Sequence, residues 1–217
     1  MKIRKTAAIA LLLFLSTGRL SAQGNSSGNN SATIRLPLTE VLVKIGNDYD
    51  CFFTLEDVWR ESGATHVLEM ESVLVPIPAR KKNLREELDA LHKAVPYLDY
   101  QFERSNPRMV HVIDASLPQQ KRYALNARLR SFSFRGTVGE LVNVIKKQGI
   151  PLSLEVVLVT SEAAVQDNST LVTIKGTPSN VRSALSNFIP LNKRKSRIIW
   201  IARTRLEQGG ITYVQFR

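Results

Sequence analysis

Apolar positions along the chain switch repeatedly between helical and extended spacing. Val41, Leu42, Ile45 and Tyr49 recur every three or four residues, which predicts an amphipathic helix. Cys51–Leu55 then runs through aromatic and β-branched residues and predicts a strand. Gly63, Pro76 and Pro78 punctuate the section that follows, where Val73-Leu74-Val75 reads as a short strand. A second helix starts after Asn83, whose side chain caps it, and Glu86 three residues on completes a capping box. Leu84, Leu88, Leu91 and Val95 form its apolar stripe, and Pro96 ends it. Tyr97–Glu103 and Met109–Ile113 flank Ser105-Asn106-Pro107-Arg108 and predict a hairpin.

The same plan returns in the second half. Ser131–Phe134 alternates as a strand, and Thr137 with Glu140 forms a capping box ahead of Leu141, Val142 and Ile145. Gly149 suits the position just past that helix. Pro151–Val159 predicts a strand, Thr160–Ser169 a polar connector and Leu171–Ile174 a further strand. Thr177 then caps a helix with Pro178 at its first position and Val181, Leu185 and Phe188 along its face. Arg197–Ala202 and Ile211–Phe216, around Glu207-Gln208-Gly209-Gly210, predict a closing hairpin. Ile198–Ile201 is apolar on both faces, as an interior strand is, which puts Trp200 in the core.

The register supports duplication. Asn83-Leu84-Arg85 with Leu88 and Leu91 matches Asn180-Val181-Arg182 with Leu185 and Phe188 at an offset of 97, and Ile45 matches Ile145 at an offset of 100. The expected fold class is α+β: two similar small lobes, each with two helices packed on a small, mostly antiparallel sheet. The first repeat spans residues 32–114, a linker 115–130 and the second repeat 131–217.

Residues 1–31 carry no part of this pattern. Lys2, Arg4 and Lys5 precede the apolar run Ala7–Leu15, and small residues lead to Ala22, which together predict a secretory signal peptide over residues 1–22. The apolar run is shorter than the ~20 residues a membrane-spanning helix needs. Residues 23–31 (QGNSSGNNS) bury nothing and read as a flexible leader. The expected location is therefore periplasmic or secreted, with no transmembrane span in the mature chain. No cysteine lies just after the apolar run, which excludes lipoprotein anchoring, and the single cysteine, Cys51, excludes an internal disulfide.

Charge is affected by the same segment. Removing residues 1–22 leaves 26 basic against 19 acidic residues, a net +7 in place of +11. The remaining excess favours anionic partners. Arg80-Lys81-Lys82 stands just before the Asn83 helix, where the backbone N–H groups are already positive, so either stability is lost or an anion relieves the repulsion. Lys193-Arg194-Lys195 with Arg197 forms a second basic turn. These seven residues are the candidate anion- or partner-binding positions.

Residues 36–55, beginning Leu-Pro-Leu-Thr-Glu-Val-Leu-Val-Lys-Ile and ending Tyr-Asp-Cys-Phe-Phe-Thr-Leu, resemble the opening of the secretin and TonB short N-terminal domain. Leu171–Phe188, a β-branched strand, a small turn and a helix with spaced apolar residues, resembles that domain's later part. The resemblance implies small sheets covered by helices, in envelope proteins that dock onto other envelope components. Arg80-Lys81-Lys82 departs from the tight turn expected in the first copy, and no barrel or secretin core follows in these residues.

Catalytic signatures are lacking. His66, His92 and His111 have no metal-type spacing and are read as structural, and no nucleophile elbow, P-loop or dinucleotide fingerprint occurs. Glu69/Glu71 and Glu86/Glu87 read as solvated surface, and Cys51 among aromatics as a buried thiol. The expected function is that of an exported, non-enzymatic protein-interaction module of a bacterial cell envelope, docking by a sheet edge or by its basic turns. An envelope protein is the expected partner, with anionic lipid or cell-wall polymer as further candidates; neither nucleic acid nor a cofactor is expected. Two alternatives stand beside it: a small secreted hydrolase or transferase using Cys51 or a histidine, and a polyanion-binding protein.

Overall fold

A computed structural model describes residues 34–59, 73–77, 80–120, 123–130, 134–155, 171–174, 180–186, 196–206 and 209–217. The predicted signal peptide and leader, Gly63, His66, the predicted 160–169 connector and Thr177–Pro178 cap, Phe188, and Lys193, Arg194 and Lys195 of the predicted basic turn lie outside the described residues.

The chain is α+β. Residues 34–114 contribute β1 (Arg35–Pro37), α1 (Leu38–Tyr49), β2 (Phe52–Val58), β3 (Leu74–Pro76), α2 (Leu84–Ala94), β4 (Leu98–Glu103) and β5 (Asn106–Asp114). The remainder contributes β6 (Phe134–Gly136), α3 (Val138–Lys147), β7 (Leu152–Leu154), β8 (Val172–Ile174), α4 (Val181–Ser186), β9 (Ile198–Arg205) and β10 (Ile211–Phe216).

Six strands form one sheet in the order β4-β5-β2-β9-β10-β7, while β1 pairs with β3 and β6 with β8 in two small antiparallel sheets. In the main sheet β4–β5 and β9–β10 are antiparallel, and β5–β2, β2–β9 and β10–β7 are parallel. The main sheet is therefore mixed rather than mostly antiparallel. Hairpins supply the two antiparallel pairings that local sequence predicts, but β2 and β9 meet across a long stretch of chain that no local pattern announces.

Both faces of the sheet are covered; alternation along β2 and β5, and along β9 past a register shift between Ile198 and Trp200, sorts the core into two layers. Phe53 and Leu55 of β2, Val110 and Val112 of β5, and Ile198 and Ile201 of β9 pack with Leu38, Val41, Leu42 and Ile45 of α1 and Leu88 and Leu91 of α2. Phe52, Val58, Met109, Ile113, Trp200 and Ala202 pack on the other face with Leu141, Val142 and Ile145 of α3 and Val181, Ala184 and Leu185 of α4. The stretch 115–130 joins this second layer through Leu117, Tyr123, Ala124, Leu125 and Leu129. Trp200 is fully buried, as an interior strand requires.

The caps explain where the helices begin. Thr137 and Glu140 form a complete capping box. Asn83 accepts from the Glu86 amide at 3.0 Å, but Glu86 takes the Asn83 side-chain amide at 2.8 Å in place of the backbone N–H, so the box is only half made. Asn180 likewise accepts from the Ser183 amide at 2.8 Å. Gly149 (φ 82) follows the end of α3 in the left-handed region. The first hairpin turns at Arg104-Ser105, earlier than predicted, and Asn106-Pro107-Arg108 belong to β5.

Candidate interaction surface

Four chain segments converge on the carboxyl end of α1. The helix ends in Asp50, a left-handed C-cap (φ 52, ψ 48) of a kind Asp tolerates. Gly46 permits the close approach of this end to the sheet: a Cβ there would meet the Cys51 carbonyl at 2.9 Å and Arg197 Cβ at 3.1 Å. Arg108 donates through Nη2 to Asp50 Oδ2 at 2.6 Å and through Nε to the Asp50 carbonyl at 2.9 Å. Arg197 donates through Nη1 to Asp50 Oδ1 at 3.1 Å and through Nε to Asn47 Oδ1 at 3.0 Å. Both guanidinium groups lie over the Phe52 ring, at 5.7 and 4.9 Å from its centroid. The Arg197 hydrogen bond, reinforced by Arg108, holds the Asp50 carboxyl below its ordinary range.

The predicted basic turn before α2 joins the same region. Arg80 lies over the Tyr49 ring at 5.9 Å, and the Lys81 amide donates to Glu87 Oε2 at 2.7 Å. Tyr49 Oη donates to the Lys81 carbonyl at 2.8 Å and Glu87 Oε2 at 3.1 Å. Glu87, buried in the first turn of α2, thus takes up the Lys81 backbone N–H and the Tyr49 hydroxyl and places a carboxylate at the helix start. Arg80, Lys81 and Lys82 are exposed. Of the predicted positions, Arg80, Lys81 and Arg197 are brought together around residues 47–50, cations that suit a helix carboxyl terminus.

A polar network that sequence reasoning missed is buried under α4. Arg182 donates through Nε and Nη2 to Glu56 Oε1 and Oε2 at 2.5 and 2.7 Å, and Tyr123 Oη donates to Glu56 Oε2 at 2.6 Å. Burial alone would lower the guanidinium's affinity for its proton; the Glu56 carboxylate outweighs it and keeps Arg182 charged. Beside this pair, Thr54 Oγ1 and His111 Nδ1 are 2.8 Å apart, His111 Nε2 lies 3.3 Å from Glu103 Oε2, and Ser183 Oγ donates to Glu103 Oε2 at 3.0 Å. Burial pushes the Glu103 carboxyl up, but hydrogen bonds from His111, the Ser105 amide and Ser183 prevail and hold it at about 2. Thr54 and Glu56 alternate with the apolar Phe53 and Leu55 along β2, which is the one local signal that a polar layer exists.

The groups considered for catalysis are placed differently. Cys51 is buried in the α1 layer, and burial pushes its thiol up to about 12, far from thiolate chemistry at neutral pH. His111 packs on the opposite face, stacked at 6.2 Å on Trp200, and His92 Nδ1 is engaged by the Leu98 carbonyl. Among the described residues no group of three or more His, Cys, Asp or Glu is placed to hold a metal, and no helix is long and apolar enough to cross a membrane.

Two strands bound the main sheet. Along β4 the pairing alternates, so with Ala115 N–H donating to the Tyr97 carbonyl, Asp99 and Gln101 turn their peptide groups toward β5. Those of Leu98, Tyr100 and Phe102 face outward. Leu98 is met locally by Val95 and His92, and the Tyr100 amide by Asp99 Oδ1 at 2.7 Å. On β7, Thr212 N–H donates to the Pro151 carbonyl and Glu155 N–H to the Val214 carbonyl, leaving the peptide groups of Leu152 and Leu154 outward. Against known proteins, the chain matches no family model, no curated protein and no solved structure.

Proposed function

We propose that this chain is an exported, non-enzymatic interaction module of a bacterial cell envelope that docks partners along the edges of its main sheet. The reading rests first on those edges: β4 and β7 close the sheet at either end, and the outward peptide groups of Phe102 and Leu154 have no partner among the described residues. Strand addition to such an edge supplies main-chain hydrogen bonds without a preformed pocket. Export rests on the basic and apolar pattern of residues 1–22.

We further propose that the chain is two like units. Each half follows the order β-α-β-β-α-β-β, each forms a small antiparallel pair (β1–β3, β6–β8), and each supplies three strands to the main sheet (β4-β5-β2, β9-β10-β7) with the same pairing senses. Asn83 and Asn180, 97 positions apart, cap equivalent helices through equivalent bonds. Repeated βαβ-type units of this kind accord with the likeness to the short N-terminal domain of secretins and TonB-dependent proteins.

A second docking route is the basic turn Arg80-Lys81-Lys82, whose exposed cations would face anionic lipid or cell-wall polymer, with Arg197 already engaged by Asp50. Crosslinking in intact cells, followed by fractionation and identification of captured proteins, tests the reading. The expected result is a processed chain in the envelope fraction joined to an envelope protein. Recovery of the unprocessed chain from the cytosol, with no envelope protein attached, would overturn it.

A further inference from the structure

We propose that the β7 edge of one molecule adds in parallel to the β4 edge of a second copy, so that molecules line up head to tail through one continuous sheet. This rests on the edge-docking reading above and names its partner. The template is inside the molecule. β2 of the first half and β9 of the second join in parallel, and by the equivalence of the two halves β2 corresponds to β7 and β9 to β4. The internal joint is thus the same pairing that β7 and a second copy's β4 would make.

Direction and face agree with this. β9 runs opposite to β4, and the helices of the two halves cover opposite faces of the sheet. A half-turn about the hydrogen-bonding direction, combined with a shift of three strands, produces both features. Applied again, it sets β4 of the next copy beside β7, parallel to it. The operation does not close, so it generates an open row, advancing about 29 Å per molecule for six strands spaced about 4.8 Å apart.

The outward groups are complementary. In a parallel ladder one residue bonds the two residues that flank its opposite number. With Leu154 opposite Gln101 of the next copy, Leu154 N–H meets the Tyr100 carbonyl and Phe102 N–H meets the Leu154 carbonyl. The Leu152 amide and Leu98 carbonyl, adjacent in that register, are already met by Ile150 and His92. Those local bonds limit the joint to a short ladder and predict weak, concentration-dependent association.

Sedimentation velocity on the purified full chain, across micromolar to millimolar concentrations, tests the proposal with two variants. Phe102→Pro removes the donor on β4, and Leu154→Pro the donor on β7; edge strands accept proline at such positions. The wild-type chain is expected to sediment faster with concentration. Each variant alone should stay monomeric, with association weakened at least about tenfold, while an equimolar mixture should form a one-to-one dimer through the intact edge on each. Should either proline variant fail to fold, Gln101→Cys and Leu154→Cys take its place. Mixed under oxidising conditions they should join to each other, since facing strands sit within disulfide reach, and Cys51 is buried out of competition.

A wild-type chain that is monomeric throughout, a Leu154→Pro variant that dimerises alone, or no disulfide between the Gln101→Cys and Leu154→Cys variants would overturn the proposal. A monomeric chain that still captures a different envelope protein in cells would sink self-assembly and leave the edge-docking reading standing.

Discussion

The two faces of the central sheet are built from different chemistry. Under α1 and α2 the strands present Phe53, Leu55, Val110, Val112, Ile198 and Ile201, an apolar layer that tolerates small shifts in packing. Under α3 and α4 the same strands present Thr54, Glu56, His111 and Trp200, and Glu56 is met by Arg182 from α4 and Tyr123 from the connecting stretch. Area burial drives both layers, but only the second is directional: α4 is held where its guanidinium reaches Glu56. The polar layer thus ties the second half to the first at one register, whereas the apolar layer, which Ile198 and Ile201 of β9 also enter, joins them by burial alone.

The largest effect should come from breaking that tie. Arg182→Met leaves Glu56 buried without its cation and is expected to cost about 3–5 kcal/mol of stability, measured by denaturant unfolding. Adding Glu56→Gln should return much of the loss; equal instability in the double variant would mean that Arg182 acts by packing. On the apolar face, Leu42→Ala is expected to cost about 2–5 kcal/mol through lost burial and a cavity, with no rescue from any charge change.

Acid should separate the faces next. Glu103 is held at about 2 against an ordinary 4.5. A depressed carboxyl contributes stability that is complete above its unfolded value and is lost as pH falls from about 4.5 toward 2. The loss is on the order of 2–3 kcal/mol, and Glu103→Gln should flatten it. A variant that keeps the full acid dependence would place the titration elsewhere.

Smaller effects belong to the caps and the exposed cluster. Asn83→Ala should cost about 1 kcal/mol, read as a lower thermal midpoint. Arg108→Ala, which removes an exposed ion pair with Asp50, should lower the thermal midpoint less than Asn83→Ala does.

Much of this architecture is legible in the sequence because it is local. The Val41, Leu42 and Ile45 stripe, the Thr137–Glu140 box, both hairpins and the buried Trp200 all follow from spacing and capping chemistry. What is not legible depends on distance. Glu56, Tyr123 and Arg182 meet from three separated segments, and Glu103 in a hairpin looks solvated until His111 and Ser183 enclose it. Nor does a run of cations before a helix disclose that Glu87, inside that helix, reaches back to the Lys81 backbone N–H.

Docking along the sheet edges is the claim on which function depends. Photocrosslinkers placed at Gln101 on β4 and Ser153 on β7, with Lys147 on the exposed side of α3 as control, read it directly in growing cells. The edge positions should yield discrete adducts with envelope proteins or a second copy, and position 147 none. Adducts from position 147 alone, or equally from all three, would contradict it.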